Sequence, residues 1–147
     1  SKHQSLAHIQ PSDLATRLAK PNDIVLFDVR EEEEFAVSHL DGAIRVSPGI
    51  WRSTFLSRYK DALAGKTVVF YCSVGVRSSG LAESVKGDLL ASGVKEVANL
   101  EGGIFAWHNQ SRPLVDGRGL TEFVHPYDAY WGRLLTRQDL ARKTTRP

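Results

Sequence analysis

Cys72 is the only cysteine in the 147-residue chain, and it stands at the start of the stretch Cys72-Ser73-Val74-Gly75-Val76-Arg77-Ser78-Ser79. A lone cysteine excludes an internal disulfide and a paired-cysteine redox motif, leaving a buried inert thiol or a reactive one. The composition of the stretch favours the reactive form. The peptide N–H groups of a loop that joins a strand directly to a helix belong to neither hydrogen-bond ladder, so they can converge on one sulfur atom. Such amides, the helix dipole and a cation such as Arg77 can lower a thiol pKa from about 8.5 to roughly 3.5–7.5. Gly75 supplies the positive φ that closure around one atom requires. A thiolate or a persulfide anion is the species this loop is suited to hold.

The elements that must position this loop follow from the apolar pattern. Residues 24–29 (IVLFDV) and 67–72 (TVVFYC) are dense runs of β-branched and aromatic residues bounded by turn formers, and both are expected to be buried strands. Weaker strand candidates lie at Ala43 to Val46 and Val97 to Leu100. Amphipathic stretches between them predict helices over Ser12 to Ala19, Glu32 to Ser38, Ile50 to Leu63 and Ser78 to Ser92, with Ser12 as an N-cap and Gly93 just past the last helix. Strands that alternate with helices imply an α/β fold with a mainly parallel sheet flanked by helices on both faces. In such folds a ligand sits beyond the carboxyl ends of the strands, which is where Cys72 falls.

Hydrophobic residues make up 41% and charged residues 24% of the chain, as expected of a folded globular protein. The net charge of +2 is spread over both signs and gives no footprint for nucleic acid. No apolar run is long enough to cross a membrane, and Ser1-Lys2-His3-Gln4 lacks the core of a signal peptide, although a start without Met leaves a trimmed leader open. A cytoplasmic or other reducing setting is expected. His3, His8, His39, His108 and His125 lack metal-ligand spacing, so no metal is expected. From Gly117 the character changes: a Gly117-Arg118-Gly119 break, the aromatics Phe123, Tyr127, Tyr130 and Trp131, then a basic tail. We expect a domain over residues 1–116, with residues 117–147 forming an extension packed on its apolar edge and ending in a frayed tail.

Four motifs in order give a resemblance to the rhodanese-like sulfurtransferases: Phe27-Asp28-Val29-Arg30 with Glu31 to Glu34 and Phe35; Ser38-His39-Leu40-Asp41-Gly42-Ala43; the Cys72 to Ser78 loop; and Leu100-Glu101-Gly102-Gly103 with Trp107. The resemblance runs from about Ile9 to Pro113. It implies a rhodanese-like fold with a five-stranded parallel sheet, and a Cys72 persulfide that passes sulfane sulfur from a donor, such as thiosulfate or a persulfide, to cyanide, a thiol or a protein cysteine by ping-pong catalysis without a cofactor. Arg77, Ser73, Val74, Gly75, Val76 and Ser78 would surround the substrate. The partners implied are a small sulfur-containing anion or persulfide and a candidate protein acceptor; the aromatic surface of the extension is the alternative site for acceptor docking or dimerisation, so a monomer or weak homodimer is expected.

The resemblance makes Asp28 and Arg30 braces of the loops around the site, and His39 and Glu101 supporting residues. His39 is expected to be a hydrogen-bonded packing residue, and Glu101 a partner for Arg30. Glu31 to Glu34 is expected to be a solvated helix start favoured by the dipole. Trp107 is a core candidate, whereas Trp51 and Phe55 are candidates for the rim of the cleft. The loop departs from the classical thiosulfate enzymes in having Arg77 as its only charge, which predicts a poor fit for thiosulfate and tolerance of a bulkier persulfide. A cysteine phosphatase is disfavoured, since its loop has one more residue between Cys and Arg. A non-catalytic interaction module is the remaining alternative, and the intact cysteine loop weighs against it.

Overall fold

A computed structural model describes residues 5–147; Ser1 to Gln4, and with them His3 and the signal-peptide reading, lie outside the described residues. Strands β1 (Ala7–Ile9), β2 (Ile24–Val29), β3 (Ile44–Val46), β4 (Thr67–Tyr71) and β5 (Glu96–Leu100) form one parallel sheet in the order β1-β5-β4-β2-β3. Helices α1 (Pro11–Leu18), α2 (Glu32–Val37), α3 (Arg52–Tyr59) and α4 (Val76–Ala91) make the crossovers, α5 (Gly103–Asn109) follows the last strand of this sheet, and together they cover both faces. A hairpin of β6 (Leu114–Asp116) and β7 (Gly119–Thr121) follows.

The two central strands are apolar on both sides because both faces are covered. Phe27, Val29, Val68 and Phe70 point to the layer of α3 and α4, where they meet Phe55, Leu81, Val85 and Leu89. Leu26, Val69 and Tyr71 point the other way, to Leu14, Ile104, Phe105 and Trp107. This alternation is the period of two that the pleat imposes. It also fixes Cys72, the next residue along, at the carboxyl end of the central strand.

Several boundaries differ from those expected. Helix α1 is capped by Gln10 with Pro11 in its first turn, so Ser12 is already helical; a proline there has its φ preset and needs no hydrogen bond for its nitrogen. Helix α3 is shorter than the amphipathic run, and Lys60–Leu63 continues as a 3-10 turn. Helix α4 begins at Val76, two residues before the expected start, and Gly93 follows it at φ 101°. Phe55 is fully buried against Phe27, Phe70 and Tyr59, Trp51 stands exposed at the N-cap of α3, and neither lines the cleft beside Cys72.

The extension is drawn into the core and its tail is tied back. Val124 and Leu135 are buried with Leu100, Ile104 and Leu114, and Arg146 makes a paired contact to Asp116 at 2.8 and 3.0 Å rather than fraying. No helix among the described residues is long and apolar enough to cross a membrane.

Candidate active site around Cys72

The backbone from Cys72 to Gly75 connects β4 to α4, and Gly75 caps the helix at φ 107°. The positive φ turns its N–H back onto the sulfur, which it reaches at 3.1 Å; the Ser78 N–H approaches the same atom at 3.4 Å. The first hydrogen bond within α4 runs from Ser79 N–H to Gly75 O, leaving the N–H groups of Val76 and Arg77 without an acceptor inside the helix. Ser78 Oγ lies 3.3 Å from Cys72 Sγ and 2.6 Å from Asn99 Oδ1, with one hydroxyl proton for the two acceptors. Asn99, on β5, also donates to Gly75 O at 3.2 Å and so braces the turn from beneath.

The carbonyls of the loop are fastened on the opposite side by the β5–α5 turn. Ile104 N–H donates to Cys72 O at 2.9 Å and Phe105 N–H to Ser73 O at 3.1 Å, which leaves the loop's amide groups to face the sulfur. This approach needs Gly103, at φ 63°: a β-carbon there would sit 2.4 Å from Ser73 O and 2.5 Å from Cys72 O.

The acidic run at the start of α2 is only partly solvated. Glu31, Glu32 and Glu33 are exposed, but Glu34 is buried and holds both terminal nitrogens of Arg77, at 2.9 and 3.0 Å, and the Ser73 hydroxyl at 3.0 Å. Burial pushes the Glu34 carboxyl up, but the Arg77 hydrogen bonds, the Glu31 N–H and the nearby cations outweigh it and hold the group below its ordinary range. Arg77 answers in kind: burial works against its charge, and Glu34 with Cys72 more than restores it. Arg77 also donates to Ser73 Oγ at 2.8 Å and lies 4.4 Å from the ring centre of Tyr127.

Beneath the loop, Arg30 and Asp28 form a fully buried bidentate pair at 2.7 Å for both contacts. Tyr71 donates to Asp28 Oδ2 at 2.7 Å and accepts from Leu40 N–H at 3.1 Å, while Arg30 donates to Ser38 O at 2.7 Å. Burial disfavours the Arg30 charge, and Asp28 overcomes it and raises the group. The network joins β2, β4 and the chain after α2. His39 belongs to the same segment, stacked on Phe35 and hydrogen-bonded through Nδ1 to Phe35 O at 2.9 Å, with its backbone paired to Val115. Glu101 does not meet Arg30; it lies 3.3 Å from His8 Nδ1, and Arg30 is already occupied by Asp28. Trp107 is buried and donates to Pro113 O at 2.8 Å.

A cleft of about 120 Å³ opens beside the sulfur, walled by Ser73, Val74, Val76 and Arg77 and, from the extension, by Tyr127 and Trp131. The sequence singled out those two rings as part of an aromatic cluster without placing them here. Glu34, Asn99, Tyr127 and Trp131 are therefore residues of the site that motif reading did not supply. Their partners are remote in sequence, and only the order of the strands and the return of the extension bring them in. Among the described residues no cluster of His, Cys, Asp and Glu is arranged to hold a metal ion.

A parallel sheet with a cysteine cradle at the end of its central strand defines the class, and comparison with known proteins agrees with it. Residues 10–110 match the Rhodanese-like domain, and the chain belongs to that family. It is 33% identical over 113 residues to the tRNA uridine(34) hydroxylase of Bacillus velezensis, covering 76% of this chain and 33% of that protein, so the chain spans about a third of the length of the curated relatives it matches. Among solved structures it resembles a rhodanese-like domain protein from Staphylococcus aureus (TM-score 0.56, 23% identity, 79% of this chain and 97% of that one). The thiosulfate sulfurtransferase of Pseudomonas aeruginosa gives a TM-score of 0.63 at 19% identity, covering 97% of this chain and 30% of that one. At these identities the structural matches speak for the fold.

Proposed function

We propose that the chain is a sulfurtransferase that carries sulfane sulfur as a persulfide on Cys72. The observation that carries this reading is the convergence of the Gly75 and Ser78 N–H groups on Cys72 Sγ at the N-terminus of α4. Those donors stabilise an anionic sulfur, and the unpaired amides of Val76 and Arg77 are available to a second sulfur bound to the first. In the first step the Cys72 thiolate attacks the outer sulfur of the donor. The new S–S bond forms as the donor's own bond to that sulfur breaks, and sulfite leaves from thiosulfate, or a thiolate from a persulfide. In the second step the acceptor attacks the outer sulfur; with cyanide, thiocyanate departs and the Cys72 thiolate returns. Ser78 assists by turning its single proton from Asn99 to the ionised sulfur.

The test is thiocyanate production from cyanide with thiosulfate or glutathione persulfide as donor. Wild type should show ping-pong kinetics and Cys72→Ser should show none; equal turnover by the two proteins would remove the proposal and leave a binding module.

A second reading, that the chain is the part of a larger RNA-modifying protein that acts on tRNA, is favoured by its identity to proteins named tRNA uridine(34) hydroxylase. The small net charge and the pairing of Arg146 with Asp116 do not supply a phosphate-binding stripe. Salt-dependent binding of tRNA at micromolar protein would favour this reading over the first.

A further inference from the structure

We infer that Tyr127 and Trp131 form a lid supplied by the extension, and that this lid makes the Cys72 cleft select the end of a persulfide carried on a methylene carbon over an oxyanion such as thiosulfate. The inference rests on the sulfurtransferase reading and names the donor class for it.

The cleft, about 120 Å³, is small and roofed by two rings, so the reacting end of a donor enters while its body stays outside. Apolar groups dominate the walls: Val74 and Val76 from the loop, Tyr127 and Trp131 from the extension. The single cation, Arg77, is committed to Glu34 by two hydrogen bonds and covered by the Tyr127 ring. A dianion that gave up its water to enter this space would meet the Val76 and Arg77 N–H groups but no unpaired cation to balance its second charge. A persulfide group loses less on entry, and its stem gains contact with the rings.

The lid is held in place by its own bonds. Tyr127 N–H donates to the buried His125 Nδ1 at 2.9 Å, Asp128 N–H donates to Pro126 O at 2.8 Å, and Trp131 N–H donates to Asp128 Oδ1 at 2.7 Å. Both flanks are anchored, through Val124 and Leu135 in the core. Tyr127 itself has φ 67°, a conformation that a bulky aromatic residue adopts only when the surroundings impose it. The strain is tolerated at the position whose ring faces Arg77. At the mouth of the cleft the wall residues Val76 and Tyr127 stay partly exposed, which gives the body of a donor a surface to rest on.

The experiment compares Cys72 alkylation by neutral iodoacetamide and anionic iodoacetate, two probes of similar size, in wild type, Tyr127→Gly, Trp131→Ala and the double variant. Glycine suits the positive φ, so Tyr127→Gly removes the ring without adding backbone strain. Trp131→Ala and the double variant carry thermal unfolding as a check of the fold. Wild type should favour iodoacetamide at least tenfold more than a free thiol does, and the double variant should lose most of that preference by gaining rate with iodoacetate. In parallel, the ratio of kcat/KM for glutathione persulfide over thiosulfate should fall at least fivefold in the folded double variant. An unchanged alkylation preference in folded Tyr127→Gly and in the double variant overturns the lid. A shifted preference in proteins that form no persulfide from either donor supports the lid as a gate for the thiol and overturns the donor assignment together with the sulfurtransferase reading.

Discussion

The Glu34 carboxylate lies 2.9 and 3.0 Å from the two terminal nitrogens of Arg77, so the only charge of the cysteine loop is matched by a buried residue of the neighbouring helix. The pair spans two crossovers of the sheet and also fixes the Ser73 hydroxyl. It ties the shape of the sulfur cradle to its electrostatics.

Replacing Glu34 by Gln should cost about 1–3 kcal/mol, since the pair is buried on the Glu34 side and partly open at Arg77. The folded Glu34 carboxyl titrates below its unfolded value, so its stabilisation is fully present above the unfolded pKa of about 4.3 and is lost as pH falls through the folded one. Urea unfolding of wild type and Glu34→Gln at pH 7 and again near pH 3 should show the difference shrinking at low pH. A difference that stays constant would mean the carboxylate charge contributes nothing.

The Asp28–Arg30 pair is more deeply buried, and Asp28→Asn should destabilise by about 3–5 kcal/mol because it strands the guanidinium in the core. Tyr71→Phe, which removes one hydrogen bond to Asp28 and one from Leu40, should cost about 1–2 kcal/mol. Denaturant midpoints rank the two, and the reverse order would contradict the placement of charge in the network.

Gly103→Ala should both destabilise, by about 2–4 kcal/mol, and abolish the reactivity of Cys72 toward sulfur donors. The added carbon would strike the carbonyls of Cys72 and Ser73, backbone atoms that can move only by shifting the loop. Gly80→Ala is the control: nothing lies within 4 Å of the corresponding carbon, Gly80 is within α4, and the change should be neutral or stabilise by up to about 1 kcal/mol. Equal behaviour of the two variants would show that the β5–α5 turn does not shape the loop.

Burial holds the His125 pKa below its ordinary value; Glu34 and Glu33 act to raise it, and Arg30 and Lys143 oppose them. A folded pKa below the unfolded value of about 6.5 means that the unfolded chain binds more protons as pH falls, so stability drops below about 6.5. The proton would also compete for Nδ1, which now accepts the Tyr127 N–H. The thermal midpoint of wild type should fall between pH 7.5 and pH 5.5, and less so in His125→Gln. His108, lowered by the same burial, accounts for part of the remainder. If His125→Gln loses as much as wild type, His125 is not the group involved.

What the sequence conveyed depended on how local each signal was. The strands β2 and β4 were legible because each is a run of apolar residues buried on both faces, and the cysteine loop because its glycine and arginine are neighbours of Cys72. Strand β1 was missed because Ala7-His8-Ile9 is short and buries only Ile9, its identity as a strand coming from pairing with Ala98 to Leu100. The solvated reading of Glu34 failed for a similar reason. Its partner Arg77 lies 43 positions away, and helix-start logic describes Glu31 to Glu33 correctly but cannot see the fourth carboxylate turn inward. Tyr127 and Trp131 were visible as aromatics, yet their place over the cleft follows from how the extension folds back.

The most direct test of the sulfur-carrier account is the intact mass of wild type and Cys72→Ser after incubation with glutathione persulfide or thiosulfate, followed by cyanide. Wild type should gain one sulfur atom, lose it to cyanide, and gain it more fully from glutathione persulfide, while the variant gains none. Absence of the added sulfur in wild type with both donors, or the same gain in Cys72→Ser, would contradict the account.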